Sequence, residues 1–133
     1  MRADPQTHLD VRLKRAYEPA AASDGYRVLI DRLWPRGVSR ARAELDEWDR
    51  ELPPSTGLRQ WFAHEPARFP EFRRRYIDEL RRERPRLAAL RRRAREGTLT
   101  LVYSARDSEH NDAVVLAEVL RRGLPTSHGG GTS

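Results

Sequence analysis

Two short polar segments hold the residue types that could do chemistry. The first is Asp-Arg-Leu-Trp-Pro-Arg-Gly at residues 31–37, and the second covers residues 104–111. The guanidiniums of Arg32 and Arg36 could each form two parallel hydrogen bonds with a phosphate or carboxylate. Gly37 would let the backbone approach that anion closely. The first segment is therefore a candidate anion site, with a structural turn as the alternative.

The second segment contains the best acid–base candidate. His110 could transfer protons, with Asp107 or Asp112 orienting its ring, and Asp31 is the other candidate. Arg106 and Asn111 could add contacts to an anion. The alternative is that Asp107 only caps a helix while His110 lies exposed on the surface.

Other side chains near these segments could line the same pocket: Trp34, Trp61, His64, Tyr103 and Asp107. For Trp34, packing in the core is the competing role. The four histidines are scattered at positions 8, 64, 110 and 128, and there is no cysteine. This spacing matches no metal-ligand motif, so the sequence predicts neither a metal site nor a cofactor.

Strands that alternate with helices are expected to position these side chains. Residues 26–31 and 98–103 have continuous apolar centres, which are typical of parallel strands buried on both faces, and residues 11–15 predict a third strand. Residues 56–96 show helical periodicity. Ser39 is a plausible cap for a short helix, Ser55 or Thr56 for the next, and Ser108 for the last helix. The pattern predicts an α/β fold with a small, mostly parallel sheet flanked by helices.

One domain is expected over residues 11–124, with a flexible arm at 1–10 and a disordered tail at 125–133. In open α/β sheets, ligands bind beyond the carboxyl ends of the strands. If the strands at 26–31 and 98–103 are neighbours, both polar segments open at the same edge.

The charge and hydropathy of the chain limit its partners. The net charge is +6, and 25 of the 26 basic residues are arginine. A nucleic-acid partner is one explanation, and codon bias with ion-paired helix faces is the other. No apolar stretch approaches a membrane span and the first residues do not resemble a signal peptide, so we expect a cytoplasmic protein without a membrane partner.

The same segments resemble the YeaO-like family of bacterial proteins, the domain of unknown function 488. The likeness covers residues 11–120 and is carried by residues 28–38, 45–48, 61–66 and 101–116. The family has no settled activity. Arg50 and Arg106 stand where its members commonly have lysine. Tyr103 and Glu109 stand where more distant relatives place cysteine, so a thiol mechanism cannot be carried over.

Three hypotheses follow. The leading one is a cytoplasmic domain that binds a phosphorylated or nucleotide-like anion at the carboxyl edge of the sheet, with catalysis left open. The second is a nucleic-acid-binding accessory or regulatory protein that uses the arginine-rich helices at 73–95. The third is a non-catalytic protein-interaction module.

Overall fold

A four-stranded, all-parallel sheet forms the centre of the computed structural model, which describes residues 9–126. The predicted α/β class is confirmed. The strands, in chain order, are β1 (Val11–Arg15), β2 (Tyr26–Ile30), β3 (Glu47–Asp49) and β4 (Leu99–Tyr103). The predicted tail lies almost entirely outside the described residues, and so do residues 1–8 of the predicted arm.

Five helices connect or follow the strands: α1 (Arg40–Ala43), α2 (Thr56–Phe62), α3 (Phe69–Leu80), α4 (Arg84–Glu96) and α5 (Asp112–Arg122). Helices α1 and α2 start where the sequence predicts, because Ser39 and Ser55 accept hydrogen bonds from backbone amides of the first turn. The predicted cap of the last helix was wrong. Asn111, not Ser108, caps α5, and its side chain accepts from the Val114 amide at 2.9 Å.

The strand order is β1-β4-β2-β3, so β2 and β4 are the two inner strands. They pair in parallel, with Tyr26 opposite Leu99 and Val28 opposite Leu101. After β2 the chain continues through α1 to the neighbouring edge strand β3. After β4 it enters α5, which packs against the opposite edge strand β1. The chain thus leaves the two inner strands in opposite directions, and this divergence creates a crevice at their carboxyl ends.

Apolar side chains cover both faces of the sheet. Helices α2–α5 cover one face, and the largest buried side chains in that layer include Ile30, Leu101, Phe72, Tyr76 and Leu116. The other face has a smaller core of Leu29, Val38, Ala43 and Val102, against which Trp34 and Trp48 pack. Because the inner strands are buried on both sides, the apolar runs Val28-Leu29-Ile30 and Leu101-Val102 continue across both faces.

A buried ion-pair cluster fixes the start of β2. The Asp24 carboxylate accepts a hydrogen bond from Arg27 Nη1 at 2.6 Å and from the Ala21 amide at 3.0 Å. It also accepts from Lys14 Nζ on β1, 3.1 Å from each carboxylate oxygen. Arg27, only 3% exposed, also donates to the Ala43 carbonyl and so connects α1 to the sheet.

Glycine is required at position 25, immediately before β2. Gly25 has a φ of 64°, and a Cβ at this position would lie 2.3 Å from the Thr98 carbonyl oxygen. The next amide, that of Tyr26, donates to the same oxygen at 2.9 Å. Any side chain at Gly25 would therefore push β2 away from β4.

The Asp24 cluster predicts a large loss of stability for Asp24→Asn. Arg27 would remain buried without its counter-ion, and we expect the free energy of unfolding to fall by about 3 kcal/mol. Asp78→Asn is the control, because Asp78 is 60% exposed and pairs with Arg81 on the surface. That variant should lose less than about 1 kcal/mol. Urea unfolding measures both, and equal losses would contradict a special role for the buried cluster.

Candidate functional site

A cavity of about 540 Å³ opens at the carboxyl ends of the inner strands. Asp31 enters it directly after β2, and Ser104 enters it directly after β4. Helix α2 contributes Arg59, and α5 contributes its first residue, Asp112. The remaining wall consists of Pro54, Phe62, His64, Phe72, Ala105, Arg106, Asp107, His110 and Asn111.

The structure brings together six of the residues that the sequence singled out: Asp31, His64, Arg106, Asp107, His110 and Asn111. They come from both polar segments and from the turn after α2. Their convergence follows from the β2–β4 pairing, which places the two carboxyl ends side by side.

The rest of the first segment lies outside this cavity. Arg32 donates to the carbonyls of Pro54 at 3.0 Å, Pro53 at 3.2 Å and Arg50 at 3.3 Å. Its guanidinium therefore holds the loop between β3 and α2. The side chain of Arg36 is exposed.

Gly37, with a φ of 81°, lies in the turn that follows Pro35. Three residues that were predicted to line the pocket also lie outside the cavity. Trp34 packs edge-on against Trp48, with ring centroids 5.3 Å apart. Trp61 lies under the Arg75 guanidinium, and Tyr103 is buried.

Asp31 and Asp112 form a carboxyl pair with unusual protonation. Burial raises the pKa of Asp31 to about 6, although Ser104 and the charge of Arg59 act in the opposite direction. Burial, together with the charge of Asp31, raises the pKa of Asp112 to about 7. Both carboxyls thus hold their protons to a higher pH than an ordinary aspartate.

One atom of this pair has no hydrogen-bond partner. Oδ2 of Asp31 is inaccessible to solvent and makes no hydrogen bond to any residue in the described range. Buried polar atoms are nearly always hydrogen-bonded, and an exception calls for an explanation such as a missing ligand or water.

His110 lies in the loop before α5 and not in its first turn. Its Nδ1 is 2.9 Å from Asp107 Oδ2, and Asp107 Oδ1 accepts from the amides of Glu109 and His110. These backbone bonds lower the pKa of Asp107. The Phe69 ring packs edge-on against the imidazole at 5.3 Å. With Nδ1 engaged by Asp107, Nε2 is the ring nitrogen that remains for a ligand.

The cavity arginines differ from the arginines of α3. Within residues 9–126, neither Arg59 nor Arg106 forms an ion pair. By contrast, α3 carries several paired arginines: Arg73 with Glu118, and both Arg74 and Arg75 with Glu71. Much of the charge that suggested a nucleic-acid surface at 73–95 is therefore neutralised locally.

Two contributors to the cavity were missed by sequence reasoning as site residues. Arg59 is one arginine among 25, and nothing in its neighbourhood distinguishes it. Asp112 was considered only as a partner of His110, yet its place after the Asn111 cap puts it at the helix start beside Asp31. Among the described residues, no group of three potential ligands could hold a metal ion.

The fold and the cavity together define a parallel α/β domain with a crevice between its inner strands. Residues 10–133 match the family model described as the Inactive DUF488-N3 subclade. Uncharacterized protein YeaO of Escherichia coli K12 is 47% identical over 116 residues, which cover 85% of this chain and 98% of that protein. The chain therefore belongs to the YeaO-like DUF488 family, as the sequence motifs predicted.

A second relative is uncharacterized protein Rv3073c of Mycobacterium tuberculosis H37Rv. It is 39% identical over 110 residues, which cover 83% of this chain and 92% of the relative. No solved structure matches the chain. In the part of the chain that the structure describes, no helix has the length and apolar character needed to cross a membrane.

The raised pKa of Asp112 predicts that Asp112→Asn stabilises the protein at high pH. A carboxyl with a raised folded-state pKa makes folding less favourable as the pH rises from about 4 to about 7. Asparagine removes that penalty, so we expect a gain of about 2 kcal/mol at pH 8 that disappears near pH 4. Thermal unfolding at several pH values measures it.

Asp107→Asn is the matched control, because hydrogen bonds lower the pKa of Asp107. Its stabilising contribution is present above the ordinary pKa and is lost as the pH falls. This variant should therefore be less stable than the wild type at pH 8. A loss of stability by Asp112→Asn at pH 8 would contradict the assignment of the carboxyl pair.

Proposed function

We propose that the protein binds a small phosphorylated or nucleotide-like anion in the cavity between the carboxyl ends of β2 and β4. The observation that carries this proposal is that Arg59 and Arg106 line the cavity while neither forms an ion pair within residues 9–126. Guanidiniums bind phosphate and carboxylate through parallel hydrogen bonds, and their attraction strengthens where water is partly excluded.

The position of the cavity supports the same proposal. Crevices of this kind are the usual ligand sites of open α/β sheets, and volumes of about 300–1,000 Å³ suit small ligands. The carboxyls are no obstacle at moderately acidic pH. Because Asp31 and Asp112 hold protons up to about pH 6 and 7, their repulsion of an anion is reduced.

We propose binding and not turnover. The subclade whose model matches the chain is described as inactive. The residues considered for acid–base chemistry have binding roles in this proposal: Asp31 offers a hydrogen-bond acceptor, and His110, held by Asp107, offers Nε2. The cavity would then serve to sense or carry the ligand.

The first test removes each cavity arginine. Arg59→Gln and Arg106→Gln should each weaken the binding of inorganic phosphate and AMP by about tenfold or more, because each loses a charge-assisted pair of hydrogen bonds. Isothermal titration calorimetry measures the affinities. Melting temperatures without ligand should stay close to that of the wild type, since neither guanidinium makes an ion pair in the fold.

Arg36→Gln is the control. It changes the same residue type in the exposed turn after β2, outside the cavity lining. Its affinities should equal those of the wild type. The proposal fails if the wild type binds neither probe, or if Arg36→Gln weakens binding as much as the cavity variants do.

The carboxyl pair predicts a pH dependence of anion binding. Sulfate keeps its charge between pH 8 and pH 5.5, so it isolates changes in the protein. Protonation of Asp31 and Asp112 below their raised pKa values removes negative charge from the cavity, and sulfate affinity should rise about tenfold or more. Calorimetry at both pH values measures the ratio.

The double variant Asp31→Asn, Asp112→Asn should flatten this dependence. Other titratable groups of the cavity, including His64 and His110, are unchanged in it, so any remaining slope measures their contribution. An unchanged slope would show that the carboxyl pair does not control anion affinity.

A further inference from the structure

We infer that the ligand carries an N–H donor, an amino or amidine group, beside its anionic group, and that Asp31 accepts a hydrogen bond from it. This inference rests on the proposed function and adds the chemical class of the ligand. The bound molecule would be bipolar, with its anionic end at Arg59 and Arg106 and its nitrogen at the Asp31–Asp112 pair.

The unpartnered Oδ2 atom of Asp31 carries the inference. Solvent does not reach this oxygen, and no described residue donates to it. The Ser104 hydroxyl and the Arg59 charge act on the same carboxyl without satisfying this atom. Leaving a buried acceptor unsatisfied costs stability. Asp31 lines the cavity, so a ligand that turns its carboxyl group toward the cavity and donates to it recovers that cost on binding.

A purely anionic ligand does not fit this part of the cavity. Inorganic phosphate offers the carboxyl pair mainly acceptor oxygens. It would place its charge near Arg59 and still leave the carboxyls facing acceptor atoms. An amino group instead donates to a carboxyl oxygen in either of its protonation states.

The carboxyl pair also indicates what surrounds that amino group. Asp31 and Asp112 both line the cavity, so one carboxyl can accept while the other, when protonated, donates. A ligand that matches this pair has a heterocycle with an amino donor next to a ring-nitrogen acceptor along one edge, as in adenine or cytosine. The apolar side chains of Phe62 and Phe72 form part of the same cavity and suit a flat heterocycle. An amino-substituted nucleoside monophosphate satisfies all of these contacts.

The test compares AMP with purine riboside 5′-monophosphate, which differs only by lacking the 6-amino group. Wild-type protein should bind AMP at least about tenfold more tightly, because a site built to hydrogen-bond a donor discriminates strongly against an analogue without it. In Asp31→Ala the ratio of the two affinities should fall to about one, because the acceptor on which the preference rests is gone.

Asp78→Asn is the control, because the Asp78 carboxylate pairs with Arg81 on the surface and lies outside the cavity lining. It should keep the wild-type preference for AMP. The preference is first measured in the wild-type protein, so the inference stays testable even if Asp31→Ala fails to fold.

Equal wild-type affinities for the two nucleotides would overturn the inference and leave the anion site standing. A preference for AMP that persists in a folded Asp31→Ala variant would also overturn the inference. If neither nucleotide binds and inorganic phosphate does not bind either, the proposed function itself fails.

Discussion

The parallel pairing of β2 with β4 is the constraint on which the rest of the structure depends. It places the carboxyl ends of two strands, separated by some 70 residues of chain, side by side. Every group that enters the cavity is positioned from these ends or from the helices packed over them. The pairing in turn requires Gly25, where a Cβ would collide with Thr98, and the Asp24 cluster that fixes the preceding turn.

Much of the fold could be predicted because its signals are local. The apolar run Val28-Leu29-Ile30 indicates an inner strand, and Ser39 and Ser55 cap helices through their own hydroxyls. The start of α5 was predicted too early because the loop before it contains three residues that can cap a helix. Asp107 organises the loop and Asn111 caps the helix, and only the three-dimensional arrangement separates these roles.

The site was harder to predict because its contacts are not local. Both polar segments could be found from their positions after strands, but the sequence does not show which arginine turns inward. Arg32, next to Asp31, is held by three backbone carbonyls, whereas Arg59 reaches the cavity from α2. The raised pKa values of both carboxyls arise from burial, and that of Asp112 also from the charge of Asp31; neither cause can be derived from sequence spacing.

The Asp24 cluster has a practical consequence for chemical labelling. Lys14 is the only lysine of the chain. Its ammonium extends from β1 and donates to both oxygens of the Asp24 carboxylate. Acylation needs an accessible amine, whereas Lys14 Nζ is engaged in these two hydrogen bonds. Amine-directed reagents therefore find no freely exposed lysine on the surface. Their reaction at Lys14 would report local opening of the sheet, so the rate of lysine acylation becomes a probe of the dynamics of β1.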